Sequence, residues 1–347
     1  YHLKNPYYFG LRQERVRGEE YDDLLDEFVD SVSKVFPKAV LQFEDFANQN
    51  ASRLLKKYRN DYRVMNDDIQ GTAAVALSGI LSSQKISKRK LQDEKILFVG
   101  AGSAGIGVGN MITFALQKEG IDLENALKQC WYFDDKGLLV KDRGDLYSDQ
   151  LPFGHDYKYI KNLVDVISEI KPTILIGLSG VGGLFTKPVL EKMSEINHLP
   201  AIFALSNPTA NSVCTAEQAY TWTNGNCIFA SGSPFPEVII GSSTFDPGQC
   251  NNVYIFPGVG LGAISANVET LSDDMFLTAA RTIPEFLTDK DLASGRIFPK
   301  LEKIRDISLA ISKNIVIENS DEKFEDYTSI ENEIESRMYK AEYKKLG

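Results

Sequence analysis

Three groups of residues in this chain have types and spacing that can do chemistry. The first is a glycine-rich turn. Gly100-Ala101-Gly102-Ser103-Ala104-Gly105 follows the apolar run Ile96-Leu97-Phe98-Val99 directly and opens a helical run, 106–117, that Gly120 closes. A GxGxxG pattern between a strand and a helix can cradle a pyrophosphate. Gly100 permits the tight turn, Gly102 lets phosphate approach the backbone, and Gly105 lets helix and strand pack closely. Ser103 and Ala104 then sit in the first helical turn, where free N–H groups and the helix dipole favour an anion. The bland alternative is a glycine turn with no ligand.

The next predicted strand, 130–133, ends in Asp134-Asp135. An acid there can accept the ribose hydroxyls of an adenosine. The separation from Gly105 is 29 positions, against a usual spacing of about 20, and a helical insertion over 121–129 accounts for the excess. Adjacent acids also repel a 2′-phosphate, at about 1 kcal/mol per contact near 4 Å in water and about 4 at intermediate dielectric, which favours NAD over NADP. The alternative is that Asp134 and Asp135 only start the turn at Lys136-Gly137.

The second group is acidic: Glu44-Asp45, and Asn66-Asp67-Asp68 some 22 residues on. Neighbours on a strand point to opposite faces, so Glu44 and Asp45 share a site only if the strand has already turned there. Oxygen-rich sites of this kind suit Mg²⁺ or Mn²⁺. Helix capping by Asp45 and Asp68 is an equal reading on spacing alone. His2, His155 and His198 are far apart with no ligand spacing, and there is no GxSxG nucleophile motif. The third group is amide-bearing. Asn207-Pro208-Thr209 closes an apolar run, where a loop at a strand's C-terminal end meets ligands, so Asn207 can donate to a carboxylate. Asn251 and Asn252 precede a run, 253–256, that reads as a strand. On spacing alone they are turn residues.

The elements that must hold these groups follow from periodicity. A helix is expected over 19–36, with Leu24, Leu25, Phe28, Val29, Val32, Val35 and Phe36 as its apolar stripe. A short strand over 39–43 and a second helix through Phe46, Ala51, Leu54 and Tyr58 come next, then a small-residue helix over 72–81. Beyond the polar stretch 84–94 the texture changes. Strands at 95–99, 130–133, 173–178, 201–205, 227–230 and 253–256 alternate with helices at 103–118, 122–129, 159–170, 186–196 and 215–222. Short apolar strands separated by helices mean a parallel sheet buried on both faces: an α/β, Rossmann-like doubly wound fold. The stretch 273–347 is helical and then strongly charged, with 322–345 reading as a solvated arm or interface segment. The expected division is 1–68, 69–258 and 259–347.

The 347 residues, with 38 Lys plus Arg against 48 Asp plus Glu, carry a net charge of −10. That balance argues against a nucleic-acid binder. No run approaches the ~18 apolar residues of a membrane span. Four scattered cysteines with no CxxC pair read as reduced core thiols and point to an intracellular compartment.

Taken together, several segments resemble the malic enzyme family, in its larger, eukaryotic type. They are Gly10-Leu11-Arg12-Gln13 with Arg15-Val16-Arg17-Gly18, Tyr21-Asp22-Asp23-Leu24, Gln42-Phe43-Glu44-Asp45-Phe46, Asn66-Asp67-Asp68-Ile69-Gln70-Gly71-Thr72, Gly100-Ala101-Gly102, Ala204-Leu205-Ser206-Asn207-Pro208-Thr209, Phe229-Ala230-Ser231-Gly232-Ser233-Pro234-Phe235 and Phe256-Pro257-Gly258-Val259. They run in family order over nearly the whole chain. The resemblance implies oxidative decarboxylation of L-malate to pyruvate and CO₂, with Mg²⁺ or Mn²⁺. It implies Glu44, Asp45 and Asp68 as metal ligands with Asp67 beside them, Asn207 and Asn252 at the malate carboxylates, Asn251 near the nicotinamide, and Asp134 at the adenosine ribose. Gln150 matches a position where NADP-selective members carry Lys, which implies NAD. It further implies a homo-oligomer, in cytoplasm or mitochondrial matrix. The family's general base, a Lys, its general acid, a Tyr, and a substrate Arg match no position here, so the chain reads as the C-terminal two-thirds and is expected to be inactive alone. Cys250 stands where the family usually has Gly, and Ser103 where an acid is common. A malolactic enzyme, which keeps the hydride and releases lactate, and a non-catalytic dinucleotide-binding module are the competing readings.

Overall fold

The computed structural model describes residues 3–320 and 327–343. The N-terminal part holds α1 (Glu19–Val35), β1 (Leu41–Phe43), α2 (Asn48–Tyr58) and β2 (Val64–Asn66). β1 and β2 run parallel, with Phe43 opposite Asn66. Their ends therefore deliver Glu44-Asp45 and Asp67-Asp68 side by side. Val29, Phe43, Leu54, Tyr58 and Val64 form a small core of their own. One π-type turn, Asp67–Gly71, leads into α3 (Thr72–Ser87), which is buried almost all round as its small apolar residues require.

The rest is β3 (Ile96–Val99), α4 (Ser103–Lys118), α5 (Leu123–Leu127), β4 (Cys130–Phe133), α6 (Leu163–Ile170), β5 (Ile174–Gly177), α7 (Lys187–Ile196), β6 (Ala201–Ala204), α8 (Ala216–Trp222), β7 (Ile228–Ser231), β8 (Val238–Ile240), β9 (Ser243–Phe245), β10 (Gly248–Gln249), α9 (Phe256–Ser265), α10 (Asp273–Thr282), α11 (Asp289–Ala293), α12 (Ile304–Glu318) and α13 (Thr328–Arg337). Six strands form one sheet in the order β10-β7-β6-β5-β3-β4, and every pairing in it is parallel. All residues of β3, β5, β6 and β7 are buried. One face packs against α3, α4, α9, α10 and α12, the other against α6, α7 and α8. This is the doubly wound α/β fold read from the alternation of runs. The strand order reverses between β3 and β5, and that crevice is where such sheets bind ligands.

Two expectations are corrected. The run 253–256 is not a strand. Asn251 caps a 3₁₀ turn, Asn252–Tyr254, and Pro257 in the first turn of α9 starts a helix. The sixth strand is instead the two-residue β10, too short to show in the sequence. The apolar stripe of α1 is also not a core face throughout. Val29 is fully buried, whereas Leu24, Phe28, Val35 and Phe36 are half or more exposed, because nothing among the described residues covers them. The expected charged arm, 322–345, lies partly outside the described residues. Its described part includes α13, whose Ile330 and Ile334 are buried.

Candidate active site

The glycine turn forms at the C-terminal end of β3. Gly100 has φ +117, and a Cβ there would lie 2.7 Å from the backbone carbonyl carbon of Leu178, in the loop after β5. The two halves of the sheet thus meet at the order reversal. Gly102 and Ser103 open α4, with Gly105 against the carbonyl of Gly100. Ala101 O accepts 3.0 Å from Gln150 Nε2, and Gln150 Oε1 accepts 3.0 Å from the N–H of Tyr147, so the buried Gln150 side chain braces the turn from below.

Asp134 does more locally than its spacing indicated. Its Oδ1 accepts from the N–H groups of Lys136 and Gly137, and Arg143 grips both its oxygens at 2.9 and 2.8 Å. Arg143 also pairs with Asp145 at 3.0 Å, and Lys136 pairs with the same carboxylate at 2.5 Å. These two cations hold the Asp145 carboxyl well below the usual range. The corner therefore sets three carboxylates against two cations, and the repulsion expected of Asp134-Asp135 toward a 2′-phosphate is largely offset. Arg143 left no signal in the sequence, because nine positions of loop separate it from Asp134.

The acidic group lines a cleft of about 440 Å³ at the same edge of the sheet, with Glu44, Asp67, Asp68, Asn207, Cys250, Asn251 and Asn252 in its wall. Asp45 turns away. It adopts φ +58 and lines a neighbouring cleft with Arg15, Arg17 and Tyr21, while its backbone N–H donates 2.7 Å to Asp68 Oδ2. Glu44 Oε2 accepts 2.9 Å from Gln42 Nε2. Among the described residues, no three His, Cys, Asp or Glu side chains stand in a metal-holding arrangement. The donor types and neighbourhood nevertheless fit a hard cation. Asp67 Oδ1 is buried with no hydrogen-bond partner among the described residues. Burial, chiefly, and the charges of Glu44 and Asp68 push the Asp67 carboxyl up to about 6, against the opposing bond from Asn252.

Asn252 opens the 3₁₀ turn, as its spacing indicates, but its side chain reaches well beyond that turn. Its Nδ2 donates to Asp67 Oδ2 at 3.0 Å, to Asp67 O at 3.1 Å and to Thr72 Oγ1 at 3.1 Å, closing a separation of 185 positions. Asn251 does take the turn role, accepting 2.9 Å from the N–H of Val253, while still lining the cleft. Asn207 is exposed at the end of β6, its Oδ1 accepting 3.3 Å from Ser233 Oγ. Ser206 Oγ accepts 3.2 Å from the N–H of Gly180, which ties the Asn207 loop to the loop that meets the glycine turn. Cys250 is buried, its backbone N–H bonded to Ser231 O at 2.8 Å, and burial raises its thiol pKa.

Gly71 was not singled out by its sequence, yet it sets the position of Asp67. A Cβ at Gly71 would stand 2.9 Å from Asp67 Cγ and 3.4 Å from Asn252 Nδ2. Gly71→Ala is expected to destabilise the protein by about 1–3 kcal/mol through overpacking and to break the Asp67–Asn252 contact. Chemical denaturation reads the first effect, and an unchanged midpoint would contradict this packing.

The profile described as "Malic enzyme, NAD binding domain" matches residues 69–319, and that described as "Malic enzyme, N-terminal domain" matches residues 1–59. The NADP-dependent malic enzyme of Homo sapiens is 48% identical over 99% of this chain and 61% of its own length. A protein named NADP-dependent malic enzyme, mitochondrial, from Mus musculus is 46% identical over 90% of this chain and 52% of its own. The chain thus spans between about half and three fifths of the length of these curated relatives. Among solved structures, the Entamoeba histolytica malic enzyme aligns with TM-score 0.73 at 24% identity, over 90% of this chain and 62% of that one. The malic enzyme of Pyrococcus horikoshii aligns at 0.69 and 23%, over 90% and 69%. Both likenesses bear on the fold.

Proposed function

The chain belongs to the malic enzyme family, and we propose that within its full-length protein it serves the oxidative decarboxylation of L-malate to pyruvate and CO₂ with reduction of a nicotinamide dinucleotide. The observation that carries this reading is the placement of an acid- and amide-walled cleft and a glycine turn on the same C-terminal edge of one parallel sheet. In the proposed division, residues 1–68 complete a substrate and metal domain, 69–258 bind the dinucleotide, and 259–347 form a helical segment.

A bound Mg²⁺ or Mn²⁺ would supply a Lewis acid to the C2 and C1 oxygens of malate, with Glu44, Asp45 and Asp68 as its holders. The dinucleotide would supply the hydride acceptor, with Gly100, Gly102, Ser103, Ala104 and Gly105 holding its pyrophosphate, Asn207 and Asn251 near its nicotinamide, and Asp134 at its ribose. Asn207 would orient a malate carboxylate through its amide, and Asn252, whose Nδ2 bonds Asp67 and Thr72, would exchange its Thr72 bond for a carboxylate oxygen. Asp67, fixed by Asn252, places a third carboxyl beside the two in the cleft wall, its Oδ1 packed against Gly71 and without a hydrogen-bond partner among the described residues.

The nucleotide we propose is NAD. The relatives named above are NADP-dependent, which leans the other way. In favour of NAD, Gln150 brings no charge to the glycine turn and both its polar ends are engaged. Gln150→Lys is expected to raise the NADP-to-NAD ratio of kcat/KM by about tenfold, because a flexible cation that reaches the 2′-phosphate, which only NADP carries, gains more than about 1.4 kcal/mol at intermediate dielectric. An unmoved ratio would take the selectivity away from this position.

The reaction itself is tested on the full-length protein with malate and Mn²⁺. Expected products are pyruvate and the reduced dinucleotide in equal amounts. Lactate without net reduction would favour the malolactic reading. Dinucleotide binding that Mn²⁺ plus malate does not strengthen would favour a non-catalytic module. The proposed compartment is intracellular, mitochondrial matrix or cytoplasm, supported by four free buried cysteines and by the mitochondrial relative. No helix among the described residues is long and apolar enough to cross a membrane. A homo-oligomer is proposed from the exposed apolar stripe of α1.

A further inference from the structure

Helix α2 is held from two sides. Arg53 pairs with Asp22 at 2.8 Å and Lys57 pairs with Asp26 at 2.6 Å, both on α1. On its other face, one helical turn apart, Ser52 Oγ donates 3.0 Å to Asp149 Oδ2 and Lys56 Nζ donates 2.6 Å to Asp149 Oδ1. Asp149 belongs to the loop between β4 and α6, and the next residue is Gln150, whose side chain braces Ala101 in the glycine turn. At the other end, α2 begins four positions after Glu44. A continuous path therefore runs from the Glu44-Asp45 segment through α2 and Asp149-Gln150 to the phosphate-binding turn, crossing from the N-terminal part to the dinucleotide part.

We infer that Asp149 is a positioning residue that couples occupation of the acidic cleft to dinucleotide affinity. The inference rests on the reading of both sites proposed above. A cation held by Glu44 and Asp45 would constrain the segment that opens α2, and the Ser52 and Lys56 contacts with Asp149 would pass that constraint to Gln150 and the glycine turn. By linkage, the dinucleotide tightens cation and malate binding by the same factor. A half-exposed ion pair supports a factor of roughly three to five.

The test titrates the full-length protein with NAD and with NADP, followed by calorimetry, with and without Mn²⁺ plus malate. In the unaltered protein, Mn²⁺ plus malate should tighten dinucleotide binding by at least that factor. Asp149→Ala and Lys56→Glu should remove the tightening while leaving affinity without Mn²⁺ within about twofold, and the exchanged pair Lys56→Glu with Asp149→Lys should restore it. Should Asp149→Ala misfold, Ser52→Ala with Lys56→Gln asks the same question from the α2 side. Retained tightening in these variants overturns the inference. So does an equal loss of affinity with and without Mn²⁺, which would mark Asp149 as a local loop support. If the unaltered protein binds neither dinucleotide, the functional reading falls as well, an outcome distinct from binding without coupling.

Discussion

Glu44→Ala in the full-length protein is expected to abolish Mn²⁺-dependent malate binding while dinucleotide affinity stays within about twofold. The argument begins with register. Pairing of Phe43 with Asn66 places the ends of β1 and β2 together, and Glu44 enters the same cleft as Asp67 and Asp68. A hard divalent cation takes oxygen donors, and a three-carboxylate set that loses one has both a weaker field and an incomplete shell. The loss in kcat/KM is expected at roughly 10³-fold, about 4 kcal/mol at the transition state. Dinucleotide affinity is spared because Glu44 makes no contact with the glycine turn, and the α2 path changes affinity only when the cation is present. Removing a charge that now raises the Asp67 carboxyl also relieves repulsion in the wall, so stability should hold or rise slightly. Thermal unfolding checks that point, and titrations with malate and with dinucleotide check the others. Loss of dinucleotide binding in this variant would mean that the acidic cluster is misassigned. Undiminished turnover at ordinary Mn²⁺ would remove Glu44 from the ligand set.

The parts of this molecule that were legible in the sequence are those whose causes are local. β3, β5, β6 and β7 are short continuous apolar runs, and strands buried on both faces have no other way to look. The glycine turn was legible because strand, turn and helix stand next to one another along the chain. What was hidden depends on partners far away. Nothing at Asn252 announces that its amide closes on Asp67 and Thr72, and a reading limited to neighbours makes it a turn residue. Arg143 is hidden in the same way, and with it the near-neutralisation of an acidic corner that on spacing alone repels a 2′-phosphate. The run Val253-Tyr254-Ile255-Phe256 misled because hydrophobicity over four residues cannot separate a strand from a capped turn. The decisive signals were Asn251 before it and Pro257 after it. The α1 stripe shows a different limit. Its period was right, yet a period says that a face is apolar and not whether anything covers it.

The other large effect is expected at Gly100, where the fold and the proposed chemistry depend on one missing methyl group. Alanine at φ +117 is strained by about 1–3 kcal/mol wherever it occurs. Here its Cβ would also meet Leu178 C and Ser179 N at 2.7 Å, both backbone atoms. Backbone cannot rotate away as a side chain can, so β3 and β5 must separate at the point where the strand order reverses. Gly100→Ala should therefore cost more stability than strain alone. It should weaken dinucleotide binding at least about tenfold, since the pyrophosphate needs the N–H groups of this turn in fixed directions. Gly120→Ala is the matched control. Gly120 also has positive φ, at +88, but a Cβ there meets nothing within 4 Å. The control should show the strain cost and unchanged dinucleotide affinity. Equal losses of affinity in the two variants would trace the effect to general destabilisation. A loss confined to Gly100→Ala ties it to the contact between the turn and the loop after β5, and so to the site where the two halves of the sheet meet.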